Sequence, residues 1–177
     1  VTKEPLTVSV RVSDGVEKVY TSPTATYGHK GPYLDLVNPK GTVNPRLARS
    51  LEELVQTDTF RSPLTAFLYE RGWRDNFKRS GFPGIENEFE EVVEFFGEPK
   101  IVVDLSCGTG LMLRRLRAAL PNSRVLGADF SEAMLREANR RERNELLRVD
   151  VAALPFVDGG LDAVHAVAAL HCWPQLE

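Results

Sequence analysis

The chain has 177 residues, of which 42% are hydrophobic and 27% charged, with 22 basic against 25 acidic side chains and a net charge of −3. That composition excludes a wholly disordered, collagen-like or disulfide-stapled chain, and no apolar run approaches the roughly 20 residues of a transmembrane helix. The slight excess of acid argues against nucleic-acid binding driven by global charge. Residues 1–45 read as a small β-rich segment. Leu6 to Val12 alternates strictly, which predicts a strand. Ser13-Asp14-Gly15 is a turn signal, and Val16 to Tyr20 returns to complete a hairpin. Thr21 to Pro32, rich in Thr, Ser, Gly and Pro, reads as loop, and Tyr33 to Val37 as a further short strand.

Residues 46–98 read as a helical extension. Leu47, Leu51, Leu54 and Val55 recur at helical spacing, and Ser62-Pro63 starts a second helix carrying Leu64, Phe67 and Leu68. Ser80 to Gly84 breaks the pattern. Glu86 to Phe96 resumes it, with Phe89, Val92, Val93 and Phe96 as an apolar stripe. Beyond residue 99 strands and helices alternate: strand Ile101–Leu105, helix Leu111–Leu120, strand Arg124–Ala128, helix Ser131–Arg143, strand Leu146–Val149 and strand Leu161–Val167. This is the βαβ signature of an α/β, Rossmann-like parallel sheet. The first strand lacks polar alternation, as expected of a strand buried on both faces.

Three acidic positions at strand ends carry the functional signal. Asp104-Leu105-Ser106-Cys107-Gly108-Thr109-Gly110 joins the first of these strands to its helix. Gly108 and Gly110 permit a tight turn and close approach of a ligand, and the helix offers its positive end. The plain alternative is a structural turn. The loop lacks the Gly-Lys-Ser/Thr ending of a P-loop, and Leu113 stands where a dinucleotide fingerprint has its third glycine. An acid before the loop, with no basic residue in it, suits a cationic amino-acid group better than a pyrophosphate. Asp129, ending the second strand, is placed to accept from both ribose hydroxyls; capping the next helix is the alternative, though Ser131 already provides a cap. Asp150 is placed to accept from an adenine amine and Val151 to offer its amide to a ring nitrogen; a helix cap or surface acid is the alternative.

Together, D-L-S-C-G-T-G, G-A-D-F-S-E-A-M-L and D-V-A-A-L-P-F-V-D-G-G-L-D-A-V-H-A resemble, in order and spacing, the successive motifs of class I S-adenosylmethionine-dependent methyltransferases over about residues 100–174. Phe60-Arg61-Ser62-Pro63-Leu64, Phe67 to Arg74, Gly81-Phe82-Pro83-Gly84 and His171-Cys172-Trp173-Pro174 resemble a plant and algal plastid subgroup. That subgroup is similar to ubiquinone/menaquinone C-methyltransferases and associated with plastid lipid bodies (plastoglobules). The resemblance implies S-adenosylmethionine as cofactor. Asp104, Ser106, Cys107, Gly108, Thr109 and Gly110 would then line its methionine part, Asp129, Phe130, Ser131 and Met134 its ribose and adenine, and Asp150 and Val151 the adenine. His165 and Ala166 would lie under the sulfonium.

It further implies methyl transfer to a small aromatic or quinone-like acceptor, a chloroplast location and peripheral contact with lipid bodies. Two departures stand out. Ser106 replaces a glycine usual in the wider family, and the four-cysteine zinc ribbon frequent in the subgroup has no cysteines before Tyr33, leaving a degenerate ribbon-like segment without a metal site. The family sheet has seven strands, so residues 99–177 are expected to supply its first four and to leave a sheet edge open. That prompts a second reading, a non-catalytic cofactor-binding or interaction module. A third is an rRNA methyltransferase, against which the missing cysteines and mild acidity count; a nicotinamide oxidoreductase is weakest.

Other residues carry two readings each. His171 is placed as a general base or as a packed histidine, and Trp173 as a platform for an aromatic acceptor or as core. Arg114, Arg115, Arg117, Arg136, Arg140, Arg141 and Arg143 form an RNA-facing patch or, preferably, a solvated face paired with Glu132, Glu137 and Glu142. Arg71, Trp73 and Arg74 suit a lid or ordinary helix packing. Cys107 and Cys172 form no CxxC pair, so free thiols in a reducing compartment are expected.

Overall fold

A computed structural model describes residues 7–12, 16–21, 26–37, 81, 83–143, 145–166, 169 and 173. The helices predicted within 46–80, the Ser13–Gly15 turn, Arg71, Trp73, Arg74, His171 and Cys172 lie outside the described residues. In chain order the elements are β1 (Thr7–Val12), β2 (Val16–Thr21), β3 (Thr26–Lys30), β4 (Tyr33–Asp35), α1 (Ile85–Phe96), β5 (Ile101–Leu105), α2 (Leu111–Ala119), β6 (Arg124–Asp129), α3 (Glu132–Arg141), β7 (Leu146–Arg148), a 3-10 turn (Val151–Ala153) and β8 (Ala163–His165).

All eight strands belong to one sheet, ordered β1-β2-β3-β4-β7-β6-β5-β8. From β4 to β8 the pairings are parallel, as the βαβ pattern predicts; β1 to β4 are antiparallel. The chain steps outward from β5 to β6 to β7, then returns to lay β8 on the other side of β5. That reversal is a topological switch point, where open α/β sheets bind ligands beyond the carboxyl ends of their strands.

Burial follows the period-2 geometry of β5. Val102 joins one cluster with Leu113 and Leu116 of α2, Leu135 and Ala138 of α3, and the stripe Phe89, Val92, Val93 and Phe96 of α1. Val103 and Leu105 join the opposite cluster with Leu126, Ala128 and Val149, covered by Leu154, Phe156, Leu161 and Trp173. Each fully buried valine or leucine contributes about 1.5–3 kcal/mol over an exposed one, so β5, buried on both sides, anchors the sheet.

Two expectations need correction. Thr26–Lys30 is a strand, not loop, and turns the predicted hairpin into a four-stranded meander. Thr26 and Tyr27 favour a strand while Gly28 and Lys30 do not, and pairing with β2 and β4 decides the balance by satisfying the backbone groups. The last strand is shorter than Leu161–Val167. Asp162 instead turns its carboxylate onto the Lys100 and Ile101 amides (3.0 and 2.8 Å), fastening the start of β5. β4 pairs with β7, Leu34 beside Leu147 and Asp35 beside Arg148, so the N-terminal strands join the sheet at the side opposite β8.

Gly127, in the middle of β6, faces crowded space. A Cβ there would stand 2.6 Å from Leu113 Cδ2, 2.9 Å from Leu146 Cδ2 and 3.2 Å from Cys107 Sγ. Leu113 is wholly buried and Leu146 nearly so, which leaves neither leucine room to swing aside. Gly127→Ala should therefore lower stability by about 1–3 kcal/mol in urea unfolding. An unchanged midpoint would show that the α2–β6 contact is looser than this packing.

Candidate functional site

The β5–α2 loop, Ser106 to Gly110, is built from left-handed backbone. Ser106, Gly108 and Gly110 have φ of 59°, 56° and 78°. Glycine takes such angles without steric cost, while a residue with a Cβ is strained by them. Ser106 is the one non-glycine with positive φ among the described residues, which explains why a glycine is usual there. Its hydroxyl accepts a hydrogen bond from Trp173 Nε1 (3.0 Å), so Trp173 braces this loop and packs on the second core cluster. The Cys107 amide donates to the Ala128 carbonyl (3.0 Å) and the Gly110 amide to the Cys107 carbonyl (2.9 Å). A Cβ on Gly110 would lie 3.3 Å from that of Ala138, so α2 can begin this close to α3 only from glycine.

Asp129 joins that loop to the next. Its Oδ2 accepts from the Gly108 amide (2.8 Å) and its Oδ1 from the Ser131 amide (2.7 Å). Burial raises the Asp129 pKa, and the Ser131 and Gly108 hydrogen bonds oppose the rise. Ser131 caps α3 as predicted, its hydroxyl accepting from the Met134 amide (3.4 Å). Asp129 is thus more than a helix cap: it ties the β5–α2 loop to the β6–α3 loop, and a carboxylate has about four acceptor sites, so it can still take a further donor.

Asp150 and Val151 follow β7. Asp150 is buried and its Oδ1 accepts from the Ala152 amide (3.0 Å), capping the 3-10 turn that Val151 opens. Part of this carboxylate therefore does the capping work weighed as the alternative. Phe130 is held from β7: the Arg148 Nε donates to its carbonyl (3.0 Å), and the guanidinium lies 5.2 Å from its ring centroid.

Asp104 turns to the helix side of the sheet, where it is 2% exposed. Its Oδ1 meets His165 Nδ1 at 2.7 Å, and His165 Nε2 lies 3.4 Å from Glu88 Oε1 of α1. Burial alone would lower the His165 pKa, but the hydrogen bonds and charges of Asp104 and Glu88 hold it at about 9. His165 is therefore an imidazolium at neutral pH, clamped between two carboxylates. Asp104 Oδ2 and Thr109 Oγ1 are buried with no partner among the described residues. Burial, then the Asp129 and Asp104 carboxylates, push the Cys107 thiol well above its ordinary range, so it stays protonated and is no nucleophile at neutral pH.

Of the residues singled out from sequence, the structure gathers Ser106, Cys107, Gly108, Thr109, Gly110, Asp129, Ser131 and Met134 into one hydrogen-bonded pair of loops. It places Phe130 and Asp150 beside them and sets Asp104 with His165, and Ala166 packs on the second core cluster. Sequence reading missed Glu88, Asp35 and Arg148. The signal was a charge in an apolar position: Glu88 shares the α1 face of Phe89 and Val92, and Arg148 follows Leu146-Leu147.

The folded His165 pKa of about 9 exceeds the ordinary 6.5, so its stabilising contribution is complete below pH 6.5 and is lost as pH rises through 9. His165→Gln should cost on the order of 3 kcal/mol at pH 6.5 and much less at pH 10, read from urea unfolding of both proteins. A gap independent of pH would mean that the histidine is neutral in the fold.

Residues 102–177 match the methyltransferase domain family. An uncharacterized chloroplastic methyltransferase of Arabidopsis thaliana is 46% identical over 163 residues, covering 85% of this chain and 45% of the relative. A second uncharacterized chloroplastic methyltransferase of Arabidopsis thaliana is 44% identical over 134 residues, 68% of this chain and 38% of its own length. A demethylmenaquinone methyltransferase of Thermus thermophilus is 42% identical over 71 residues, 37% of this chain and 32% of that protein. The chain spans less than half the length of these relatives. With these motifs on this sheet, residues 102–177 form a methyltransferase domain similar to those of the class I S-adenosylmethionine-dependent enzymes.

Proposed function

We propose that the chain holds S-adenosylmethionine across the carboxyl ends of β5, β6, β7 and β8, for transfer of its methyl group to a small aromatic or quinone-like acceptor. The observation that carries this reading is the Asp129 bridge. One carboxylate locks the left-handed β5–α2 loop to the β6–α3 loop, and its remaining acceptor capacity suits a ribose hydroxyl. The chemistry of the site fits the cofactor. Asp104, Asp129 and Asp150 converge at adjacent strand ends, which suits a ligand carrying ammonium and sulfonium charge, and Asp104 Oδ2 and Thr109 Oγ1 are buried polar atoms still lacking a donor or acceptor.

In this reading Ser106, Cys107, Gly108, Thr109 and Gly110 receive the methionine part, Asp129 the ribose and Phe130 one face of the adenine. Ser131 and Met134 shape the wall of that pocket, Asp150 and Val151 take the edge of the adenine, and Ala166 and His165 lie toward the sulfonium. The bound cofactor supplies an already activated methyl group. The chain's task is to orient it, exclude water and hold the acceptor in line. His171 is the proposed acceptor of a substrate proton.

The quinone-like acceptor draws support from the demethylmenaquinone methyltransferase relative, and the chloroplast location from the two Arabidopsis relatives. An apolar quinone resides in membranes or lipid bodies. No helix among the described residues is long and apolar enough to cross a membrane, so peripheral contact with a plastid lipid body is the arrangement that fits.

Calorimetric titration with S-adenosylhomocysteine tests the core of the proposal. The parent chain should bind, and Asp129→Ala should weaken binding about tenfold or more, the scale of losing a buried charge-assisted hydrogen bond. A parent that does not bind, or an Asp129→Ala variant that binds equally well, would sink the assignment.

A further inference from the structure

The N-terminal meander meets the core at a buried cluster of charge. Arg148, at the end of β7, is 6% exposed. Its Nη1 donates to Asp35 Oδ2 of β4 (3.1 Å) and lies 3.2 Å from Glu132 Oε1, in the first turn of α3. Asp35 is itself held, its Oδ1 accepting from the Val37 amide (3.0 Å). The Arg148 carbonyl accepts from the Leu36 amide (3.0 Å). Lys30 of β3 donates to Glu132 Oε1 (2.7 Å), and the Arg136 guanidinium lies 5.9 Å from the ring centroid of buried Tyr33. Apart from the Asp35–Val37 bond, these contacts end on β7 or on the first two turns of α3, on either side of the Asp129-Phe130-Ser131 loop.

A buried guanidinium needs carboxylate compensation, and its planar fork has fixed donor directions. Glu132 alone meets that need poorly: it is partly exposed, and Lys30 and Arg136 share its charge. Asp35 is the buried partner that sets the direction of the fork. With Nη1 on Asp35, Nε points at the Phe130 carbonyl and the guanidinium plane lies near the Phe130 ring.

We infer that β4 is a working part of the cofactor site: Asp35 orients Arg148, and Arg148 positions Phe130 against the adenine. This rests on the cofactor reading above. Asp35 and Arg148 are positioning residues that touch no ligand. The meander is then more than a cover for a sheet edge, and ligand affinity depends on a segment far from the ligand motifs in sequence.

Two variants separate positioning from mere support. Asp35→Asn removes the charge but keeps a side-chain oxygen able to accept from Arg148 Nη1 and from the Val37 amide, so the fold should persist at a lower melting temperature. Arg148→Lys keeps a charge for Asp35 but removes the Nε–H that holds Phe130. Both should weaken S-adenosylhomocysteine about tenfold in calorimetry at a temperature where each variant is still folded, judged by a single cooperative melting transition above it. Adenosine, which has only the nucleoside end, should lose the same factor. By reciprocal linkage, saturating S-adenosylhomocysteine should slow hydrogen exchange at the Leu36 amide of the parent more than at the Ile101 amide. That measurement decides the matter should either variant unfold.

Variants that bind as the parent does, while Asp129→Ala fails to bind, overturn this inference and leave the cofactor reading intact. A much larger loss for S-adenosylhomocysteine than for adenosine, indicating general loosening, also overturns it. A parent that binds neither ligand overturns the cofactor reading itself.

Discussion

Asp129 is the constraint on which the site depends. Its two oxygens take amides from two different loops, and neither amide has a helical partner to replace it. Removing the carboxylate leaves buried donors unsatisfied at both ends, a cost of about 1–3 kcal/mol for each. The left-handed turn at Gly108 and the start of α3 are therefore one structure. Any ligand spanning the two loops meets a surface already arranged, which limits the ordering that binding must still impose.

The three acids that end adjacent strands show how neighbours divide the work of one residue type. Asp129 faces backbone amides. Asp150 caps a 3-10 turn. Asp104 faces a histidine that a second carboxylate, Glu88, also grips. The period of β5 decides the last case: Asp104 shares the face of Val102, under α1, and the helix supplies Glu88 opposite. A cationic histidine offsets part of the cost of burying acidic groups beside it, and that compensation is lost when the histidine is neutral.

Much of the β5–β8 unit was legible in sequence because local and global signals agree there. Apolar runs of strand length, caps such as Ser131, and glycines at forced left-handed angles all point to the same elements. The meander was harder. Thr26–Lys30 lies within a Thr-, Ser-, Gly- and Pro-rich stretch, Thr21 to Pro32, and what settles it as a strand is the pair of neighbours on either side, which no local window contains. The parallel junction of β4 with β7 is more remote still, since it joins Asp35 to Arg148 across more than half the chain.

Buried charges mark where sequence reading stopped short, and the reason is physical. Apolar periodicity identifies a face by its majority, so one charged residue on that face reads as noise. Glu88 in the stripe of α1 and Arg148 after two leucines were each passed over on that ground. Yet a lone charge is costly on such a face unless a partner lies opposite, so its position predicts that a partner exists without naming it. Glu88 required a cation and found His165; Arg148 required a carboxylate and found Asp35. Both pairs sit at strand ends beside the Asp104 and Asp129 loops, and both bring in an element from outside the βαβ core, α1 in one case and β4 in the other. The charges that disturb the apolar pattern are thus points at which α1 and β4 are fastened to the strand ends beside the Asp104 and Asp129 loops.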